Sequence, residues 1–217
     1  MALYHFSVKV LSRSTRNTVG AVAYRAGCQL YDVQTGEGFD YRNKAVQHVV
    51  LLLPKDAPSW AVHSQGLLEQ DRQSGVQLFI DKVEAAEKRI DAQVWREIEF
   101  ALHRELTREQ NITLAKEFVQ DQLCGRGMAA LLNFHFDKDT KTGEQNPHCH
   151  VLLTTRPLRE HGFGPKEREW NNRAFVSEFR EQWAAYSNFH LKLHGHEVQI
   201  DHRSYYDRGI EMLEPCL

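Results

Sequence analysis

The sequence predicts an α+β fold of about five mainly antiparallel strands with helices packed on one face. Three observations carry that expectation. Apolar and polar residues alternate with period 2 in several separate stretches, each long enough for one half-buried strand. Helical spacing of apolar residues fills the intervals, most clearly behind Thr107 and Gln110, which stand at the separation of a capping box. Two alternating stretches, 128–136 and 148–155, are joined by one polar loop, DKDTKTGEQNP, as hairpin partners are.

In chain order, Tyr4, Phe6, Val8 and Val10 alternate with His5, Ser7 and Lys9 and mark a first strand over 3–11. The polar SRSTRN follows, Asn17 or Thr18 can cap, and Val19, Val22, Ala23, Ala26 and Leu30 predict a helix to about residue 30. YDVQTGEGFDYR reads as a hairpin around a glycine turn, and Val46 to Leu53 as a strand that Pro54 and Pro58 end. From Trp60 to about Glu87 the pattern is helical, with Leu78, Phe79, Val83 and Ala86 on one face. WREIEFALHREL returns to period 2: Ile98, Phe100 and Leu102 face one way, Glu97 and Glu99 the other. Behind Thr107, the run Ile112, Leu114, Ala115, Phe118, Val119 and Leu123 predicts a helix that Gly125 or Gly127 stops. In the strand pair, Leu132, Phe134 and Phe136 leave Asn133, His135 and Asp137 on the opposite face. Cys149, Val151 and Leu153 likewise leave His148 and His150 opposite. Phe175, Phe179, Trp183 and Tyr186 form the seam of a last helix from about 171 to 193.

Composition removes several classes. With 217 residues, 41% hydrophobic and 26% charged, the chain can bury a core as one domain over 1–217 without disulfides or a structural metal. No apolar run approaches membrane-spanning length, and the amino terminus lacks a signal-peptide pattern, so a cytoplasmic protein without membrane insertion is expected. Cys28, Cys124, Cys149 and Cys216 show no CxxC spacing and read as reduced thiols without chemistry. The net charge of −2 hides an asymmetry. Residues 1–30 carry Lys9, Arg13, Arg16 and Arg25 and no acid, whereas residues 67–121 carry twelve acids against eight bases. That distribution suits a local phosphate-binding face, and equally four scattered solvated cations.

Twelve histidines make a His-x-His triplet unremarkable by itself, and His194-Gly195-His196 reads as a solvated turn at a helix end. His148-Cys149-His150 differs, because two imidazoles project from one strand face whose hairpin neighbour presents His135. Three converging imidazoles suit a divalent cation with open positions for substrate; spacing alone equally allows satisfied polar residues on an exposed sheet. Glu97 and Glu99 on another strand, with Tyr24 beside Arg25 on the first helix, complete a set suited to phosphoryl transfer. Tyr24 taken alone also fits a partly buried core tyrosine.

The motifs SRS and AVAYRAG after an amino-terminal strand, then EIEFAL, NPHCHVLLTTRPL and IDHRSY followed by GIE, resemble the MobA/MobL family of conjugative relaxases, the TraA-type subgroup especially. The resemblance covers nearly the whole chain, with NPHCH as the HUH motif (His, hydrophobic, His). It implies the HUH-type relaxase fold, with helices on one face of the sheet and the metal and tyrosine site on the other. It implies metal-dependent nicking of one strand of plasmid DNA at the origin of transfer (oriT), leaving a reversible 5′-phosphotyrosyl adduct. Position by position, Tyr24 matches the nucleophile and His135, His148 and His150 the metal triad, while the strand acid falls at Glu97 with Glu99 beside it. Cys149 within the motif and His103, where relatives tend to have proline, depart from the pattern without touching this chemistry.

On that reading the cofactor is a divalent metal, Mn²⁺ suiting three imidazoles better than Mg²⁺ and other transition metals also fitting. Glu97 would take the phenolic proton or orient a histidine. Lys9, Arg13, Arg16, Arg25 and Arg203 are candidate phosphate contacts for single-stranded oriT DNA; Tyr31 and Tyr41 could stack on bases. Tyr31, seven residues after Tyr24 on the expected helix, is a secondary nucleophile candidate. No GxxxxGK[ST] occurs, so strand transfer would need a helicase from elsewhere; the end at Leu217 suggests the amino-terminal part of a longer protein. Relaxosome accessory proteins and a type IV secretion coupling protein are the partners the resemblance implies. The rivals are a rolling-circle replication initiator, a His-liganded metallohydrolase and a non-catalytic DNA-binding module. An initiator of that kind is set apart by element order, since here the tyrosine precedes the histidines.

Overall fold

The computed structural model describes residues 4–136, 138, 143, 145–203 and 207–208. Asp137, Cys216, residues 204–205 of the IDHRSY motif and the GIE segment at 209–211 lie outside the described residues. Five strands, β1 (Phe6–Ser12), β4 (His48–Leu52), β5 (Gln93–Ala101), β6 (Ala130–His135) and β7 (His148–Thr154), form one antiparallel sheet in the order β1-β5-β7-β6-β4. Two small hairpins stand apart from it: β2 (Gln29–Asp32) with β3 (Glu37–Asp40), and β8 (Leu158–Arg159) with β9 (Gly162–Phe163). The helices are α1 (Thr18–Ala26), α2 (Ser59–Gln70), α3 (Arg72–Ala85), α4 (Arg108–Gln122) and α5 (Arg173–Leu193).

Local chemistry sets the helix ends. Thr107 and Gln110 form the expected capping box: Thr107 Oγ1 accepts from the Gln110 amide at 3.2 Å, and Gln110 Oε1 from the Thr107 amide at 2.8 Å. Asp71 breaks the single helical stretch expected over 60–87. It leaves helical backbone (φ −140°, ψ 106°) and accepts from the Ser74 amide as the amino-terminal cap of α3. Asn17 caps α1 through Gly20 N at 2.9 Å, but the helix stops at Ala26, four residues short of the expected end. Gly27 ends it in the left-handed region (φ 59°), and a side chain there would collide with Val46 and the Lys44 carbonyl. Leu30 and Tyr31 therefore belong to β2, and the helical spacing that related Tyr31 to Tyr24 does not exist.

Both faces of the sheet carry helices, a correction to the expectation of one covered face. Phe6, Ile98, Phe100, Leu132, Phe134, Cys149, Val151 and Leu153 pack under α4 and α5, where Phe100 stacks on Trp183 at 4.0 Å. On the other face the register makes successive rows across the strands. Leu11 and Trp95 make one row, and Leu152, Leu131 and Leu51 lie in the next; these pack under residues of α1, α2 and α3. Glu97 and Lys9 share that second row. The next row carries Ser7, Glu99, His150 and Asn133, and the one after it His148 opposite His135. The second face thus turns from apolar to polar along the strand direction, and its polar half is the site. No helix among the described residues is long and apolar enough to cross a membrane.

Candidate active site

His135 ends β6 directly opposite His148 at the start of β7, and His150 lies two residues on, on the same face. The three rings converge, with centroids 5.0 Å (His135 to His148), 5.2 Å (His135 to His150) and 5.1 Å (His148 to His150) apart. Each ring is held from outside. His148 Nδ1 donates to the Asn146 carbonyl at 2.8 Å, His150 Nδ1 to Glu97 Oε1 at 2.8 Å, and His135 is hydrogen-bonded to the backbone of Arg25. Donation through Nδ1 leaves Nε2 as the lone-pair nitrogen of His148 and His150. Burial, with the neighbouring charge of Lys44 and the other imidazoles, lowers His135 to about 3; burial also lowers His148. Both are therefore neutral near pH 7, the form that ligates metal.

The donor set fits a divalent cation. A nitrogen about 2.1 Å from a metal puts its ring centre about 3.2 Å away, so two such rings at near-tetrahedral angles sit about 5.2 Å apart. The three observed separations match this. Donor atoms of Glu97, Glu99 and His150 also lie within 4.8 Å of one another. That proximity has a separate cause, since both Glu97 oxygens are engaged by Arg25, through Nε and through Nη2 at 2.7 Å, while Oε1 also accepts from His150. Glu97 is buried, which by itself would raise its pKa. The bonds from His150 and Arg25 outweigh burial and hold it at about 2. Glu99, more open, accepts from Lys9 Nζ at 3.1 Å; that bond and nearby positive charge outweigh its burial and lower it as well.

Tyr24 and Arg25 divide the inner and outer sides of α1. Tyr24 is 49% exposed, its ring edge-on to Tyr41 with centroids 5.3 Å apart and Lys44 Nζ 3.6 Å from its centre. Arg25 turns inward to Glu97 and the Ala21 carbonyl, and its backbone meets His135. Tyr24 is thus one residue from a direct bond to His135 and from a link to His150 through Glu97.

The expected phosphate contacts separate by burial. Arg16 is exposed, Lys9 is exposed but paired with Glu99, and Arg203 lies on the surface bound to Asp201 at 2.7 Å. Arg25 and Arg13 are corrected: Arg25 is consumed by buried Glu97, and Arg13 clamps β1 to α3 through Glu84 and the carbonyls of Glu84 and Glu87. Tyr31 sits on β2, 53% exposed and close over Gly38. Two residues of the site were not among its expected residues. Lys44 lies in a loop with no periodic signal, and buried Asn133 donates to the Leu131 and His150 carbonyls beside the histidines. Asn133 was legible as a polar residue on the His135 face.

A family model described as the MobA/MobL family matches residues 16–215. The chain belongs to the MobA/MobL family. Conjugal transfer protein TraA of Agrobacterium fabrum is 35% identical over 100% of this chain and 21% of TraA. Mobilization protein MobL of Acidithiobacillus ferridurans is 36% identical over 97% of the chain and 60% of MobL. This MobA/MobL chain therefore spans about a fifth of the length of its TraA relative. A solved structure described as "Molecular Basis of Vancomycin Resistance Transfer in Staphylococcus aureus" shares the fold at TM-score 0.80 and 32% identity, covering 94% of this chain and 100% of that one. These relatives carry the names conjugal transfer protein and mobilization protein.

Proposed function

We propose that residues 1–217 act as one relaxase domain that nicks a single strand of plasmid oriT DNA, with Tyr24 as nucleophile. The observation that carries this is the placement of an exposed tyrosine on α1, where the next residue bonds both His135 and the Glu97–His150 pair. His135, His148 and His150 would hold a divalent cation, Mn²⁺ more readily than Mg²⁺, which when bound supplies positive charge to the non-bridging oxygens of the scissile phosphate. Tyr24 Oη attacks phosphorus, the bond to the 3′ oxygen breaks, and that oxygen leaves as a hydroxyl while the phenolic proton is given up. One phosphodiester replaces another, so the reaction needs no nucleotide cofactor and its reversal reseals the strand.

Glu97 serves this chemistry by orienting His150. A carboxylate held near 2 by Arg25 and His150 is a weak proton acceptor at neutral pH. Glu99, bound to Lys9, lies in the same register row as His150 and is the other acid of the site. Arg16, Lys9 and Arg203 remain the surface cations for the DNA backbone, with Tyr31 and Tyr41 as stacking surfaces. This reading entails oriT DNA, accessory proteins of the nicking complex and a type IV secretion coupling protein as partners, and a helicase for strand transfer.

The test mixes the protein or its Tyr24→Phe variant with Mn²⁺ and labelled oligonucleotides spanning the cognate origin, and looks for an SDS-resistant adduct. Wild type alone should form it, and EDTA should abolish it. An adduct surviving in the variant would move the nucleophile to Tyr31. Metal-dependent cleavage without an adduct would make water the nucleophile, and binding without cleavage would leave a binding module.

A further inference from the structure

The loop after β3 is built onto the end of α1. Tyr41 N donates to the Cys28 carbonyl at 3.2 Å, Lys44 N to Tyr41 O at 2.9 Å, and Val46 N to Lys44 O at 2.9 Å. Arg72 Nη1 ties Val46 O, at 2.9 Å, to the last residue of the helix through Ala26 O, at 3.4 Å. Gly27 makes the approach feasible, since a Cβ there would lie 2.9 Å from Lys44 O and 2.6 Å from a Val46 methyl. The backbone carrying Lys44 is therefore fixed by bonds within its loop, to Cys28 just past the helix that carries Tyr24 and, through Arg72, to that helix's last residue.

The side chain completes the arrangement. Lys44 Nζ stands 3.6 Å from the centre of the Tyr24 ring, and Tyr41 meets the same ring edge-on. The charge of Lys44 also reaches His135 and His148 and disfavours a positive charge on either. One ammonium thus acts on the tyrosine and on two of the three imidazoles. A cation over an aromatic face attracts the ring, and the attraction grows as phenol becomes phenolate.

Resting on the relaxase reading above, we propose that Lys44 is the positioning residue for Tyr24: it holds the phenol ring in place and keeps a positive charge over the ring that becomes electron-rich as its oxygen gives up the proton on the way to attack. Lys44 acts through the tyrosine, so its loss should appear in the rate at saturating DNA more than in DNA affinity.

The experiment measures single-turnover adduct formation at saturating Mn²⁺ with the cognate single-stranded oligonucleotide. Wild type, Lys44→Met, Lys44→Arg, Tyr24→Phe and the neighbouring-cation control Arg42→Gln are compared, with oligonucleotide Kd and Tm for each. Lys44→Met should lose about 10- to 100-fold in rate while its Kd moves by less than about 3-fold. Lys44→Arg should recover most of that rate, because it keeps the charge over the ring, and Arg42→Gln should match wild type. The inference is overturned if Lys44→Met keeps the wild-type rate, if only its Kd weakens, or if Lys44→Arg is as slow as Lys44→Met. Should Lys44→Met fail to fold, Lys44→Gln takes its place with the same expectations. A wild type that forms no adduct defeats the relaxase reading and this inference with it, whereas an adduct that persists in Tyr24→Phe leaves a relaxase with another nucleophile and overturns this inference alone.

Discussion

Two histidine environments lie on opposite sides of the sheet and differ in what their ring nitrogens meet. On the polar half of one face, His135, His148 and His150 converge, each held from outside by a backbone or carboxylate partner. Beyond the end of β5, on the side covered by α4 and α5, His103 is 1% exposed, stacks on Trp183 at 6.1 Å, and has no hydrogen-bond partner among the described residues at either ring nitrogen. Asn111 bonds its backbone at both the amide and the carbonyl, so the loop is fixed while the ring is left unsatisfied. Burial lowers the pKa in both places, so burial alone does not distinguish a site from a core residue. Convergence and externally oriented nitrogens do.

The comparison is broken most severely by removing the charge that supports the polar half. Arg25→Met leaves Glu97 buried without its guanidinium, and chemical denaturation should show a loss of about 3–5 kcal/mol. On the other side, His103→Leu should leave adduct formation unchanged and remove an acid sensitivity. His103 in the folded chain lies at about 4 against 6.5 unfolded, lowered mainly by burial, with Glu105 opposing and His190 reinforcing. The unfolded chain therefore binds more protons between those values, and stability present above pH 6.5 is lost as pH falls toward 4. The loss amounts to about 2–3 kcal/mol, and a denaturation series against pH should flatten in the leucine variant.

Smaller effects sharpen the same contrast. Glu97→Gln keeps the shape but weakens the acceptor that orients His150. Calorimetric Mn²⁺ affinity should fall about 10- to 100-fold, with no comparable change in His103→Leu. Thr107→Ala removes a cap remote from both groups and should cost about 1 kcal/mol in thermal unfolding without altering metal affinity.

Much of this was legible in the chain. Period 2 placed His135, His148 and His150 on one face because alternation follows from strand geometry whatever surrounds the strand. The same rule put Glu97 and Glu99 together and Ile98 and Phe100 against the core, and the capping box of α4 needed only residues 107 and 110. His194 indeed caps the end of α5 in a turn, with Gly195 in the left-handed region. The end of α1 was not legible. Leu30 continues the helical spacing, and only the crowding of Val46 and Lys44 against Gly27 requires the helix to stop before it.

What the sequence determined by itself is therefore the faces of the strands that carry the histidines and acids and the amino-terminal caps of α1 and α4, all properties of residues a few positions apart. The tertiary structure decided which cation each acid meets. Arg25 and Glu97 are 72 residues apart, and Arg13 and Glu84 are 71 apart, so nothing local marks either pair as buried structure instead of DNA contact. It also decided that α1, α2 and α3 cover half of the second face and that Lys44 lies over Tyr24. These contacts depend on register between distant segments, and the energy that selects them comes from burying surfaces and charges that meet only once the chain has folded.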